Sequence, residues 1–226
     1  MPARLRPTAP NAADAILVGD PGRALMLAQE LLEQPKMSNH ARGLWGYTGE
    51  TPDGHPLTIQ STGMGGPSAS VVLADLAELG VRRAIRIGTC TSLGELELGE
   101  LVVVTEAFPE PGGPLRATDP DEQPRQPVVE PDAVLTHRLL QTLDDATGAI
   151  AVSLDVLHRP GQEAPPASEV ADMQTAALFA TASEFEVVVA ALLIVSQTRE
   201  GNHLSDEELE VAAKRAGGGA VAVLSP

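Results

Sequence analysis

The 226-residue sequence predicts an α/β fold in which helices cover both faces of a mainly parallel sheet. Short apolar runs that fit buried strands alternate with longer segments that have the apolar spacing of helices. Most of the strand-like runs are apolar throughout, as expected of a sheet covered on both sides. Hydrophobic residues make up 43% of the chain but aromatic residues only 2%, so Ala, Val, Leu and Ile must form the core. The length suits one domain spanning residues 1–226.

The first half of the chain reads as strands and helices in alternation. A buried run stops at Gly-Asp-Pro-Gly and is followed by helical spacing, which predicts a strand, a turn and a helix. The turn signal TPDGHP between two later runs predicts a hairpin. Proline in the glycine-rich stretch STGMGGPSAS is suited to the first turn of a helix. The predicted elements are a strand at 15–18, a helix at 23–34, strands at 43–50 and 57–62, and a helix from Pro67 to Leu79.

The second half continues the same alternation without an internal repeat. The run VRRAIRIGTC predicts a strand that ends in a Gly-Thr turn, and a proline-rich, acidic stretch predicts a long loop. An acidic amphipathic segment with a glycine-rich end predicts the last helix. The predicted elements are strands at 81–90, 100–108, 149–157 and 186–196, helices at 133–146, from 172, and at 205–216, and loops at 109–132 and from 158.

Charge and composition exclude several classes of function. The formal net charge of −16 argues against nucleic acid or an anionic membrane as a partner, although a few buried arginines can still bind a small anion. No run reaches the length of a membrane span, so a soluble, cytoplasmic protein is expected. The single Cys90 excludes an internal disulfide and is expected to be a buried thiol. The five histidines lack ligand spacing, so no metal is expected.

Polar residues follow the predicted strands at the edge where parallel sheets bind ligands. Arg86 lies inside the otherwise apolar strand IRIGT, where an unpaired cation would be costly and needs an anionic partner. That partner is either a bound anion, which the Thr89 hydroxyl could share, or one of the many carboxylates of the chain. The expected rim of the site is 19–23, 63–68, 86–91, 158–163 and 196–199.

Four motifs carry a resemblance to a known family. GDPGR at 19–23, HARGLWGYTG at 40–49, STGMGGPS at 61–68 and RIGTC at 86–90 resemble the nucleoside phosphorylases of the uridine phosphorylase and hexameric purine nucleoside phosphorylase type. The similarity runs from about residue 15 to residue 198. It implies a three-layer αβα sandwich with a mainly parallel mixed sheet. It also implies a homodimer as the working unit, a homohexamer built as a trimer of dimers, and phosphorolysis of a nucleoside to free base and pentose 1-phosphate.

The resemblance also implies roles for individual residues. Inorganic phosphate would be the co-substrate, and no other cofactor is implied. Arg42 would come from the neighbouring subunit, which makes dimerisation part of the site. The phosphate would be held by Gly19, Arg23, Arg42, Arg86 and Thr89; the nucleoside by Thr91, Gln162, Met173 and Gln174; and the reaction would depend on Arg86, Gln174 and Gln197.

The chain departs from the family pattern at the sugar and base side. The family has a Glu-Met-Glu pattern here, in which the second glutamate accepts hydrogen bonds from the ribose hydroxyls. Gln174 stands in place of this second glutamate, and Asp172 stands in place of the first. Gln197 stands where purine enzymes have an aspartate and uridine enzymes an arginine. Three functions stay open: a phosphorylase for a uridine-like or modified nucleoside, an N-glycosidic hydrolase, and a weak or inactive member that binds nucleoside or phosphate. The three arginines favour a phosphate-binding protein over a pure hydrolase.

Overall fold

The computed structural model describes residues 4–109, 128–156 and 167–225. These residues form nine strands and five α-helices. The strands are β1 Asp14–Val18, β2 Glu33–Asn39, β3 Gly46–Glu50, β4 Pro56–Ser61, β5 Arg83–Ser92, β6 Leu101–Pro109, β7 Thr147–Ser153, β8 Val170–Asp172 and β9 Val188–Thr198. The helices are α1 Pro21–Leu31, α2 Gly66–Glu78, α3 Ala133–Thr142, α4 Thr175–Phe185 and α5 Asp206–Leu224.

The nine strands join in one mixed sheet with the order β2-β3-β4-β1-β5-β8-β7-β6-β9. Strand β9 also pairs with β5, so the second half of the sheet closes into a ring of five strands. Parallel pairing links β1 with β4 and β5, β5 with β9, and β7 with β6 and β8. The remaining pairs, including the predicted β3–β4 hairpin, are antiparallel. The prediction of a mainly parallel mixed sheet is confirmed.

Helices cover both faces of this sheet, as predicted. Helices α2 and α4 contact each other over one face, while α5 contacts α1 and α3 over the other. Alternate residues of a strand point to opposite faces, so Leu17 of β1 joins the core under α2 and α4 whereas Ile16 and Val18 join the core under α1, α3 and α5. The result is the three-layer αβα sandwich. Among the described residues, no helix is long and apolar enough to cross a membrane.

The helix predicted at 23–34 is too long. It ends at Leu31, and the residues that follow form β2, a strand that the sequence does not predict. Gln34 has a positive φ of 46° and is followed by Pro35, two features that disrupt regular periodicity. Proline is tolerated here because β2 lies at the edge of the sheet and pairs only with β3.

The last helix was predicted to stop at 216 but continues to Leu224 through three consecutive glycines. Glycine is a poor helix former, so this is tertiary packing overriding local propensity. A Cβ on Gly217 would lie 2.9 Å from Leu27 Cδ2, and one on Gly219 would lie 2.7 Å from Leu143 Cδ2. The glycines therefore allow α5 to approach its neighbouring helices closely.

Smaller differences concern element ends. The strand predicted at 43–50 begins at Gly46, after a short 3-10 turn at Ala41–Gly43. The helix predicted at 133–146 ends at Thr142, and the helix predicted from 172 begins at Thr175. Strand β8 was missed because three residues are too short for a periodic pattern.

Candidate active site

A cavity of about 590 Å³ opens at the carboxyl ends of β1, β5 and β9. The first turn of α1, residues 171–174 before α4, and the Gly63–Gly65 turn that follows β4 complete its wall. This is the edge at which the sequence predicts a ligand site. The predicted site residues that line it are Gly19, Arg23, Arg86, Thr89, Thr91, Met173, Gln174 and Gln197.

Two predicted site residues are not in this group. Arg42 is exposed in the turn Ala41–Gly43, has a φ of 60°, and does not line the cavity. Buried Asn39 supports this turn, because its side-chain amide donates to the backbone carbonyls of Ala41 and Leu44. Gln162 lies outside the described residues.

Arg23 enters the cavity from the first turn of α1. The Asp20 carboxylate caps this helix and accepts a hydrogen bond from the Arg23 backbone N–H at 2.7 Å. Among the described residues, no side-chain or backbone acceptor bonds the Arg23 guanidinium. Burial lowers the pKa of Arg23 from its ordinary value, and neighbouring Arg86 lowers it further, while Asp20 raises it. A guanidinium nevertheless stays protonated near neutral pH, so Arg23 presents charged N–H donors to the cavity that no acceptor of the described residues binds.

Arg86 is bonded very differently. Its side chain is 5% exposed and donates from Nη2 to Asp172 Oδ2 at 3.0 Å, from Nη1 to Gln174 Oε1 at 2.5 Å, and from Nε to Thr175 Oγ1 at 3.2 Å. The chain therefore supplies the carboxylate that a buried arginine requires. A guanidinium has five N–H donors, so one hydrogen on each Nη is still available to a ligand.

The Asp172 carboxylate organises the start of α4 as well as holding Arg86. Its oxygens accept from the backbone N–H groups of Gln174 and Thr175 and from the hydroxyls of Thr175 and Ser153. These bonds satisfy first-turn donors that a helix leaves free, and they place a negative charge at its N-terminus. Asp172 thus acts as a cap three residues before the helix.

Gln174 is 3% exposed and fully bonded inside the chain. Its Nε2 donates to the Gly63 carbonyl at 2.7 Å and to the Gly65 carbonyl at 3.2 Å. Its Oε1 accepts from Arg86, and the Thr62 hydroxyl lies 3.1 Å from Oε1 and 3.0 Å from the Val18 carbonyl. Gln174 therefore ties the Gly63–Gly65 turn to Arg86.

Gly88 makes room for the arginine. A Cβ at this position would lie 2.5 Å from Arg86 Nη2, 2.7 Å from its Cζ and 2.9 Å from Leu193 Cδ2. The guanidinium lies across the glycine because residues 86 and 88 of a strand share one face. The Arg-x-Gly pattern in β5 is thus needed for packing, because the Arg86 guanidinium occupies the space of a residue-88 side chain.

The remaining wall is polar and partly open. Thr89, Thr91 and Gln197 are partly exposed, and Thr91 pairs with Gln197 across β5 and β9. The neighbouring Cys90 is buried, and burial raises the pKa of its thiol above the ordinary value, with Asp172 adding to the shift and Arg86 opposing it. Cys90 is therefore a neutral core thiol, as expected.

The connecting roles of Asp172, Thr175 and Thr62 are not predicted by the sequence. One signal was present, because an acid followed by threonine at the third position, just before an apolar helix, is typical of a helix N-terminus. Nothing in the local pattern pairs Arg86 with a carboxylate 86 residues away in sequence. Among the described residues, no cluster of three His, Cys, Asp or Glu side chains has the arrangement of a metal site.

Comparison with known proteins decides the family. The family described as "Phosphorylase superfamily" matches residues 14–225 of the chain. The chain belongs to the phosphorylase superfamily.

Curated relatives of this superfamily member are named as purine nucleoside phosphorylases of the DeoD type. The protein from Alkaliphilus metalliredigens is 29% identical over 214 residues, which cover 85% of this chain and 86% of the relative. The protein from Oceanobacillus iheyensis is 46% identical over 83 residues, and that from Caldanaerobacter subterraneus is 41% identical over 98 residues. These two shorter matches span 35% and 42% of the relatives' own lengths.

Solved structures confirm the fold of the superfamily. A structure from a study of two uridine phosphorylases of Phytophthora capsici has a TM-score of 0.81 and 20% identity, and covers 98% of this chain and 92% of its own. The purine nucleoside phosphorylase of Toxoplasma gondii, in complex with immucillin-H, has a TM-score of 0.78 and 20% identity, and covers 94% and 92%. At this level of identity the similarity concerns the fold alone.

Proposed function

We propose that the protein is a nucleoside phosphorylase that transfers a pentose from a nucleoside base to inorganic phosphate. The observation that carries the proposal is the Arg23 guanidinium, which is bonded to no acceptor in the described residues although it lies within the cavity and next to Arg86. A dianion such as phosphate complements two neighbouring guanidiniums and the N-terminus of α1. Gly19 and Thr89 border the same part of the cavity and are proposed to complete the phosphate site.

A second copy of the chain is part of this proposal. Arg23 and Arg86 share the cavity with Asp20 and Asp172, so the charges of these side chains balance within one chain. An additional cation would favour binding of a dianion. Exposed Arg42, held by a buried amide in a turn of positive φ, is proposed to supply it to the cavity of a neighbouring subunit in a dimer or hexamer.

On the side of the cavity where the nucleoside base would lie, the described residues favour hydrogen bonding to the leaving base by a neutral group over transfer of a proton to it. Asp172 is the buried carboxylate of the cavity, and its oxygens are occupied by Arg86, by hydroxyls and by backbone donors. Gln197 can donate a hydrogen bond to a departing base but cannot deliver a proton. A base that leaves as a delocalised anion, as in a uridine-like nucleoside, therefore fits the described wall better than one that must be protonated. Thr91 and Met173 are proposed to line this nucleoside pocket.

The test follows base release from a panel of purine and pyrimidine nucleosides with and without phosphate. Phosphate-dependent release is expected, and it should disappear in Arg23→Ala. Arg215→Ala is the matched control, because exposed Arg215 pairs with Asp145 on the surface and its loss should leave turnover unchanged. Release without phosphate would instead support hydrolysis.

A binding protein without turnover is the second candidate. The paired state of Arg86 favours it, since this arginine is already neutralised by Asp172. In that case calorimetry would detect phosphate or nucleoside binding that depends on Arg23, while no base would be released from any nucleoside in the panel. Absence of both binding and release would contradict both candidates.

A further inference from the structure

The edge of the cavity next to Arg86 is closed by the protein's own hydrogen bonds. Gln174 Oε1 accepts from Arg86 Nη1, and the carbonyls of Gly63 and Gly65 accept from Gln174 Nε2. The Gly65 carbonyl also accepts from the Ala69 backbone N–H in the first turn of α2. Gln174 Oε1 and the carbonyls of Gly63 and Gly65 thus each have a protein donor already.

The orientation of the Gln174 amide is determined by its partners. Arginine can only donate, so the amide oxygen must face Arg86. The backbone carbonyls of Gly63 and Gly65 can only accept, so the amide nitrogen must face them. A rotation that exchanged oxygen and nitrogen would place donor against donor and acceptor against acceptor. Gln174 therefore cannot turn its oxygen toward a ligand without breaking these bonds.

Asp172 provides no alternative acceptor at this edge. Its Oδ1 accepts from the Ser153 hydroxyl, and its Oδ2 accepts from Arg86, from the Thr175 hydroxyl and from backbone N–H groups of α4. The Asp172 side chain is 0% exposed. A hydroxyl placed against Asp172 and Gln174 would find hydrogens of Arg86 to accept, whereas each protein acceptor beside it already has a protein donor.

The chemistry of phosphorolysis brings a particular part of the substrate to this edge. Phosphate held by the arginines must lie about 3 Å from the anomeric carbon that it attacks. The carbon bonded to the anomeric carbon is C2′, so a substituent on C2′ lies near the same guanidiniums and hence near Gln174. Burying a hydroxyl donor there without an acceptor carries a free-energy penalty.

We propose that Gln174 makes the site selective for a 2′-deoxypentose over a pentose that has a 2′-hydroxyl. The inference rests on the phosphate site of the proposed function, because phosphate bound by the arginines places C2′ beside Arg86. It concerns the sugar and is independent of which base is released. Gln174 acts as a specificity-determining residue through the two carbonyls that it binds and the arginine that it accepts from.

The test compares each 2′-deoxynucleoside with the ribonucleoside of the same base in the presence of phosphate. We expect kcat/KM to be about 10- to 100-fold higher for the deoxy member, the range by which one unmatched group discriminates in an enzyme pocket. Equal values, or a preference for ribose, would overturn the inference.

Two variants test whether Gln174 causes the preference for the deoxy sugar. Gln174→Glu removes the donors to Gly63 and Gly65 and supplies carboxylate lone pairs, so the ratio of deoxy to ribo kcat/KM should fall toward one. The ratio is taken within one variant, so a loss of folded protein cancels. Gln141→Glu makes the same chemical change on the exposed face of α3 and should leave the ratio as in the wild type. An unchanged ratio in Gln174→Glu would refute the assignment.

Binding of the sugar phosphates separates this inference from the proposed function. Calorimetric titration with 2-deoxyribose 1-phosphate and with ribose 1-phosphate needs no turnover. Tighter binding of the deoxy compound supports the inference even if no base is released from any nucleoside, an outcome that would reject the proposed activity. Equal binding, tighter ribose 1-phosphate binding, or binding of neither compound rejects the inference.

Discussion

Strand β5 carries two arginines that pair with aspartates, and the two pairs have different surroundings. Arg83, at the start of the strand, binds Asp14 through Nε at 2.7 Å and Nη2 at 2.6 Å, and Nη2 also donates to the Leu224 carbonyl. Arg86, three residues later, binds Asp172 and borders the cavity. The Arg83 side chain is 35% exposed, whereas that of Arg86 is 5% exposed.

The difference separates a structural pair from a site pair. The Asp14 carboxylate raises the pKa of Arg83 through its hydrogen bonds, and the pair joins β1, β5 and the end of α5. It lies at the end of the sheet opposite the cavity. The pair of Arg86 joins β5 to the start of α4 and keeps two guanidinium hydrogens for a ligand. An arginine–aspartate pair thus joins elements of the fold at one end of β5, and a second such pair positions a cavity residue at the other end.

The largest expected effect comes from neutralising the buried partner of Arg86. Asp172→Asn leaves an almost fully buried guanidinium without its carboxylate, which typically costs about 3–5 kcal/mol of stability. It also replaces an acceptor of α4 first-turn donors. Urea unfolding followed by circular dichroism measures the change. A loss below that of Asp14→Asn would contradict the distinction between the two pairs.

Crowding the site arginine should have the second-largest effect. Gly88→Ala places a Cβ within 3 Å of Arg86 and Leu193, and Arg86 cannot retreat without breaking its bonds to Asp172 and Gln174. Overpacking of this kind costs about 1–3 kcal/mol.

Gly218→Ala is the matched control for that substitution. Gly218 is exposed on α5, and a Cβ there would meet no atom within 4 Å. Stability should rise by about 0.5–1 kcal/mol, because alanine replaces glycine inside a helix. An equal loss of stability in Gly218→Ala, measured by urea unfolding, would show that crowding of Arg86 is not what destabilises Gly88→Ala.

Neutralising Asp14, in the pair at the start of β5, should cost less stability than neutralising Asp172. In Asp14→Asn, Arg83 retains the Leu224 carbonyl and access to water, so the expected loss is about 1–2 kcal/mol. Phosphate binding should be unchanged, since Asp14 does not line the cavity. Urea unfolding and calorimetry with phosphate test both statements. Weakened phosphate binding would mean that the pair at the start of β5 also controls the site.

The sequence was sufficient to locate the cavity because the site residues follow buried apolar runs. Gly19, Arg86 and Gln197 each belong to or follow a strand that is apolar over several residues, and parallel strands bring their carboxyl ends to one edge. The motif resemblance extended this to Arg23 and Met173, which line the same cavity.

The hydrogen bonds inside the site could not be predicted from the sequence, because they join segments that are far apart along the chain. The Asp172–Arg86 pair and the contact of Gln174 with Gly63 span 86 and 111 residues. No periodic pattern contains such information. Local propensity likewise gives no reason for a helix through Gly217 and Gly219, since the reason is contact with leucines of other helices.

The smallest expected effect on stability belongs to the unpaired arginine. Arg23→Ala removes a guanidinium that bonds no acceptor in the described residues, so the free energy of unfolding should change by no more than about 0.5 kcal/mol. Wild-type protein should nevertheless be stabilised by added phosphate, since a ligand that binds only the folded state raises its stability. Thermal unfolding at increasing phosphate should show this shift in the wild type and in Arg215→Ala but not in Arg23→Ala. A shift that persists in Arg23→Ala would place the anion outside the cavity, and Arg86 would then be a structural arginine like Arg83.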